Sequence, residues 1–151
     1  AAGLARADAA ILMLPADLAA PDPDLMAVFA GKPVLIARLA PAAPPPSGPQ
    51  LGFAGIGMPW KVERALKAAG CDLVDFASFP DHHLYDEATL NALARRAEAY
   101  GAGLVTTEKD WVRLPPAWRT RVSAWPVKAV FDDEAALEAI LAAALREGEG
   151  P

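Results

Sequence analysis

A chain of 151 residues with a single cysteine, Cys71, is long enough to bury a core of its own and cannot form an internal disulfide, a usage compatible with a reducing compartment. Its net charge of −5, without any basic stripe, argues against a nucleic-acid partner. The hydrophobic share of 54% is largely alanine, and no uninterrupted apolar run approaches the ~20 residues of a membrane-spanning helix.

The first stretch, Ala1 to Asp8, has neither a starting Met nor the charged start and apolar core of a signal peptide, and it reads as the last turns of a helix in a longer protein. Ala9 to Leu14 is a continuous apolar run ended by Pro15, the pattern of a strand buried on both faces. Asp22-Pro23-Asp24 offers a cap or a turn before a short segment from Leu25 to Phe29, and Pro33 to Ala37 is a second strand candidate. Between Pro41 and Pro49 five prolines exclude a helix and predict a stiff extended connection, the best boundary between two parts of the fold.

Leu51 to Gly57 reads as a strand running into a glycine turn. Pro59 suits a first helical position, Val62, Ala65, Leu66 and Ala69 share one helical face, and Gly70 can end it. Leu73 to Phe76 is the next strand and leads into Phe79-Pro80-Asp81-His82-His83-Leu84-Tyr85, which holds both histidines. Asp86 predicts an N-cap for a helix with Leu90, Leu93, Ala94 and Ala97 on one face, ended by Gly101 and Gly103. Gly103 to Thr106 is another strand, and Thr107 to Asp110 opens a short helical turn. Beyond Pro115-Pro116, Val127 to Phe131 reads as a strand, and Asp132 and Asp133 cap a last helix with Leu137, Ile140, Leu141 and Ala144 inward.

Strands alternating with helices predict an α/β lobe over 1–151, a mostly parallel sheet with flanking helices. Ligands of such sheets sit beyond the carboxyl ends of the strands. Three stretches lie there: Ala54 to Gly57, Asp81-His82-His83, and Thr106 to Asp110. Gly55 and Gly57 suit either a plain turn or the approach of backbone amides to an anion. Thr107 and Asp110 match a capping pattern, which leaves Glu108 and Lys109 as solvated residues or site residues. Neighbouring residues of an extended chain point to opposite sides, so one imidazole can face the rim and the other the body, with Asp81 able to orient either ring. One His-His pair falls short of the convergent ligands zinc needs, so no metal is assigned. The only Gly-Lys pair, Gly31-Lys32, precedes Pro33 and lacks the upstream glycine, so the chain carries no Walker A loop and no nucleotide-binding residue. The four tryptophans, Trp60, Trp111, Trp118 and Trp125, read as core and edge packing.

Taken together, Ala54-Gly55-Ile56-Gly57 with Pro59, Phe79-Pro80-Asp81-His82-His83, and Thr106-Thr107-Glu108-Lys109-Asp110 followed by Val112 and Arg113 resemble the tetraacyldisaccharide 4′-kinases, the lipid A kinases of Gram-negative bacteria. The resemblance runs over the whole chain but corresponds to the C-terminal half of such a kinase, a Rossmann-like layered lobe of a P-loop-type enzyme. It implies transfer of the ATP γ-phosphoryl group to the 4′-hydroxyl of a tetraacyldisaccharide 1-phosphate at the cytoplasmic face of the inner membrane. ATP and Mg²⁺ would belong to an N-terminal half outside this chain, which alone would bind neither and be inactive. The implied partners are that half, the lipid A disaccharide precursor and the membrane surface. By the same resemblance His82, with Asp81 and His83 beside it, is the catalytic element. His82 would support an Asp base from the other half, and Asp81 would hold the loop. Gly55, Gly57, Thr107, Glu108, Lys109 and Asp110 would line the substrate cleft or lock the lobes together. Trp60, Val62, Leu84 and Trp111 depart from the family's usual residues at their positions. Two other readings remain: a DHH-type metal-dependent phosphoesterase, for which Asp8, Asp75 and Asp110 do not form the expected motifs, and a non-enzymatic α/β interaction module.

Overall fold

The computed structural model describes residues 4, 6–15 and 18–148, so the truncated helix expected over Ala1 to Asp8 falls partly outside the described residues. The chain forms two compact units, one from residues 1–40 with 128–151 and one from 41–127, the second beginning at the first proline of the proline-rich stretch.

The first unit is built on a three-stranded sheet in the order β1-β2-β7, from β1 (Ala10–Leu14), β2 (Val34–Pro41) and β7 (Val127–Phe131). β1 and β2 run parallel, Ala10 opposite Val34. Between them lies α1 (Pro23–Ala27), for which Asp22 is the N-cap, accepting the Asp24 amide at 2.8 Å. Arg38 of β2 pairs with Asp132 just beyond β7. Asp133 accepts the amide of Ala136 at 2.9 Å in the first turn of α6 (Glu134–Gly148), as a capping residue should. The helix turns less of its apolar face inward than its periodicity predicts: Leu137 and Ile140 are half-buried, but Leu141 and Ala144 are exposed. A 3.6-residue repeat names a face, whereas its burial needs an element packed against it.

The second unit carries a four-stranded, wholly parallel sheet in the order β4-β3-β5-β6. Its strands are β3 (Gln50–Ala54), β4 (Leu73–Ser78), β5 (Gly103–Thr107) and β6 (Val122–Trp125). β6 was not foreseen, because it is only four residues long and Ser123 interrupts its apolar residues. Every residue of β3 is buried, as expected of a central strand covered on both faces. One face packs Leu51, Phe53 and Leu104 against Leu90, Leu93 and Ala97 of α3 (Glu87–Ala99), with Tyr85, Leu114, Trp118 and Val122 completing the cluster. The other sets Val105 and Trp125 against Leu66 of α2 (Pro59–Ala68), with Val62, Leu73 and Phe76 around them. Leu104 and Val105 thus divide between the two cores, as the two-residue strand period dictates.

Caps set the helix ends. Asp86 accepts the Thr89 amide at 2.7 Å to start α3, and the hydrogen bonding from Thr89 holds its carboxyl below the usual carboxylate range. Gly70, at φ +80°, supplies the left-handed residue just past α2. The proline-rich stretch is tied to the end of β6, with Ala42 donating to the Pro126 carbonyl at 2.9 Å and the Trp125 indole to that of Ala43 at 3.1 Å. Trp118 and Trp125 are core residues and Trp111 is half-buried, but Trp60 is 54% exposed, so packing does not explain it.

Leu66 is fully buried at the centre of the α2-side cluster. Leu66→Ala should therefore cost about 2–5 kcal/mol, read as a lowered urea midpoint with an unchanged m-value.

Candidate functional site at the carboxyl edge of the parallel sheet

The order β4-β3-β5-β6 sends the chain from β3 outward to β4 and then back across β3 to β5. The connections after β3 and β5 therefore leave the sheet in opposite directions, which makes the β3/β5 boundary its topological switch point. The loop after β3 begins at Gly55, and β5 passes directly into α4 (Glu108–Trp111), followed by α5 (Pro116–Arg119).

Asp110 of α4 joins the two sides of that boundary. Its side chain is fully buried, and Oδ2 accepts the Gly55 amide at 3.1 Å and the Thr107 hydroxyl at 2.9 Å. Thr107 in turn caps α4, its hydroxyl accepting the Asp110 amide at 3.1 Å, so the capping reading of this pair is right but incomplete. The Arg113 guanidinium lies 3.5 Å from Asp110 Oδ1.

The loop after β4 folds onto the same point. Phe79 donates its amide to Ala54 at 2.9 Å and His82 donates to Gly55 at 3.1 Å. His82 has φ +60°, the one positive value among the described non-glycine residues, and its amide also lies 3.0 Å from Asp81 Oδ1. Left-handed backbone at a non-glycine residue costs on the order of 1 kcal/mol and persists only where the surroundings impose it. The two imidazoles part as adjacent side chains should. His82 is exposed, with Nδ1 2.8 Å from Arg113 Nη2 and Nε2 3.6 Å from Asp81 Oδ2, beyond hydrogen-bonding distance. His83 turns inward, stacked on Phe79 with centroids 4.5 Å apart and edge-on to Tyr85 at 5.0 Å.

Gly55 must be glycine for steric reasons. A Cβ there would lie 2.8 Å from the Tyr85 hydroxyl, 3.0 Å from His83 Cβ and 3.2 Å from the Pro80 carbonyl oxygen. Gly57 is under no such constraint, since a Cβ would meet only Asp81 Oδ2 at 3.7 Å. Burial pushes the Tyr85 phenol well above the usual tyrosine value, the Asp110 carboxylate adds to the shift, and Arg113 partly opposes it. The Tyr85 hydroxyl, Asp110 Oδ1 and His83 Nε2 are all buried and make no hydrogen bond to another described residue.

The structure therefore gathers Gly55, Gly57, Asp81, His82, His83, Thr107 and Asp110 at one edge of the sheet. Glu108 and Lys109 share that edge but are exposed, and neither makes a side-chain hydrogen bond or ion pair with a described residue. Tyr85 and Arg113 belong to the cluster although the motifs assigned them no role, since one tyrosine and one arginine are ordinary in any sequence. Among the described residues no three of His, Cys, Asp and Glu come together as metal ligands would.

Comparisons with known proteins agree with these motifs. The family model described as Tetraacyldisaccharide-1-P 4′-kinase matches residues 1–146. The tetraacyldisaccharide 4′-kinase of Phenylobacterium zucineum is 71% identical over 141 residues, covering 93% of this chain and 43% of that protein. The enzyme of Caulobacter vibrioides is 68% identical over 139 residues, 92% of this chain and 42% of its own. That of Maricaulis maris is 49% identical over 144 residues. The chain thus spans about two-fifths of the length of the curated relatives it matches. Among solved structures, LpxK from Aquifex aeolicus in complex with ATP superimposes with a TM-score of 0.53 at 20% identity, over 89% of this chain and 51% of that one, and so shares its fold.

Two outcomes follow from the packing around Gly55. Gly55→Ala should destabilise the unit by about 1–3 kcal/mol, and adding Tyr85→Phe, which removes the nearest atom, should recover part of that loss in a urea titration. Stability that depends on a protonated Tyr85 is complete below the ordinary phenol value of about 10 and declines as pH rises above it, because the unfolded chain gives up its proton first. The urea midpoint should therefore fall more steeply from pH 9 to 11 in the parent chain than in Tyr85→Phe.

Proposed function

The chain belongs to the tetraacyldisaccharide-1-P 4′-kinase family, and from that premise we propose that it is the C-terminal lobe of an enzyme phosphorylating the 4′-hydroxyl of a tetraacyldisaccharide 1-phosphate with ATP. The observation that carries this reading is the meeting of Gly55, His82 and Asp110 at the switch point of a parallel sheet, where α/β folds place their ligands. Phosphoryl transfer leaves little covalent work to the protein and depends on positioning and charge stabilisation. A lobe that closes over the nucleotide is suited to supply both.

In this reading ATP and Mg²⁺ bind to the part of the enzyme outside this chain, since no GxxxxGK[ST] loop occurs here. His82 supports an Asp base delivered by that part, Asp81 holds the loop, and His83 with Phe79 and Tyr85 forms its floor. Gly55, Gly57, Thr107 and Asp110 shape the rim. Glu108 and Lys109, exposed and free of described partners, are available to the substrate or to the other lobe. The acylated substrate places the reaction at a membrane, which we assign to the cytoplasmic face of the inner membrane. Met58 and Trp60 support a peripheral contact there. Both are large, apolar and exposed, and the Lys61 ammonium lies 5.6 Å from the Trp60 ring.

The test is reconstitution. This chain alone should show no turnover of a tetraacyldisaccharide 1-phosphate, and joining it to the ATP-binding half of a relative should produce the 4′-phosphate. In the joined enzyme His82→Ala should lower kcat about a hundredfold with little change in thermal midpoint. An unchanged kcat would remove His82 from the mechanism.

A further inference from the structure

Arg113 lies two residues beyond α4, and its guanidinium reaches three elements of the site. Nη1 is 3.5 Å from Asp110 Oδ1 and 3.5 Å from the Gly55 carbonyl oxygen, and Nη2 is 2.8 Å from His82 Nδ1. A guanidinium carries donors only and stays charged at any working pH. The nitrogen facing it must therefore accept. In the neutral ring this leaves the proton on Nε2 and occupies the Nδ1 lone pair. The imidazole then has no free lone pair with which to take a proton, and its one available function is the Nε2–H donor.

The surroundings aim that donor outward. Asp81 Oδ2 is 3.6 Å from Nε2, too far to consume its proton, and the His82 side chain is 71% exposed. The guanidinium itself is held from behind, its side chain 22% exposed against an aspartate that is fully buried. The anchored end of the chain of contacts is thus in the protein interior and the free end is at the surface.

We propose that Arg113 is the positioning residue of His82: it fixes the ring as a hydrogen-bond donor through Nε2–H, directed at the carboxylate base contributed by the other lobe. The direction of the donor rests on the kinase-lobe reading above, whereas the tautomer follows from the geometry alone. Arg113 touches neither reactant and acts through the imidazole.

Long-range ¹H–¹⁵N spectra of the His82 ring in this chain, at a pH where the ring is neutral, decide the tautomer. The parent chain should show the Nε2–H form alone. Arg113→Lys, which keeps a cationic donor, should retain it, and Arg113→Met should bring in the Nδ1–H form. An Nδ1–H form in the parent chain, or spectra of the Met variant identical to the parent's, would overturn the proposal. In the joined enzyme Arg113→Met should lower kcat about tenfold, the size of one hydrogen bond to a charged group, with both KM values unchanged and with recovery in Arg113→Lys. In a His82→Ala background the Met substitution should cost nothing further, since the residue it acts through is gone. A full tenfold loss on top of His82→Ala would make Arg113's role independent of the ring and overturn the relay. Should His82→Ala itself leave kcat intact, the kinase role of His82 falls, and the ring spectra still decide whether Arg113 sets the tautomer.

Discussion

A carboxylate with no solvent exposure is the constraint on which the carboxyl edge of the parallel sheet depends. Asp110 cannot sit there unless its charge is met by donors, because an isolated buried carboxylate is far too costly. The partners come from different places: the Gly55 amide after β3 and the Thr107 hydroxyl at the end of β5 donate to Oδ2, and the Arg113 guanidinium beyond α4 lies at ion-pair distance, 3.5 Å, from Oδ1. Satisfying one charge therefore brings separate loops to a fixed distance from one another. Folding and the assembly of the rim are one requirement here, not two.

The topology explains why this requirement falls at the β3/β5 boundary. β3 is buried along its whole length and paired on both sides, so Ala54 and Gly55 leave a strand that cannot shift. β5 enters α4 without a loop, and the cap at Thr107 fixes the direction of that first turn. The histidine loop is more exposed, but it is tied to the rigid strand end by the Phe79 and His82 amides and seated by the Phe79, His83 and Tyr85 rings. A left-handed His82 is affordable only against such a support.

Much of this arrangement can be read from the residues, and the gaps have physical reasons. Strand-like runs announced β1, β3 and β5, and side-chain caps at Asp86 and Thr107 announced their helices, because both signals are local. β1 nonetheless leaves Ile11 and Met13 exposed where its apolar run predicts burial on both faces. β6 escaped because a strand at the sheet's edge needs no unbroken apolar run. The inward face of α6 was overread because periodicity does not say what covers a face. The convergence of the three motifs was legible from the rule that parallel sheets gather their loops at one edge. The depth of Asp110 was not, since a threonine three residues before an aspartate looks the same in an exposed cap. Arg113 stood at the end of the third motif without a role: its importance lies in reaching both a buried carboxylate and an exposed imidazole, and distances of that kind exist only in the fold.

The same contrast separates the two histidines. By residue type alone they are equivalent neighbours beside one aspartate, and only the family resemblance singled out His82. The inward ring is committed to aromatic packing, with an Nε2 that finds no described partner. The outward ring is bound at one nitrogen by a group that can only donate, which leaves its other nitrogen defined as a donor and open to solvent. A base must offer a lone pair, and the ring that faces outward has already given up the one it had. Its chemistry at this edge is therefore that of a fixed N–H, and any proton taken from a hydroxyl here must be received by a group other than this imidazole.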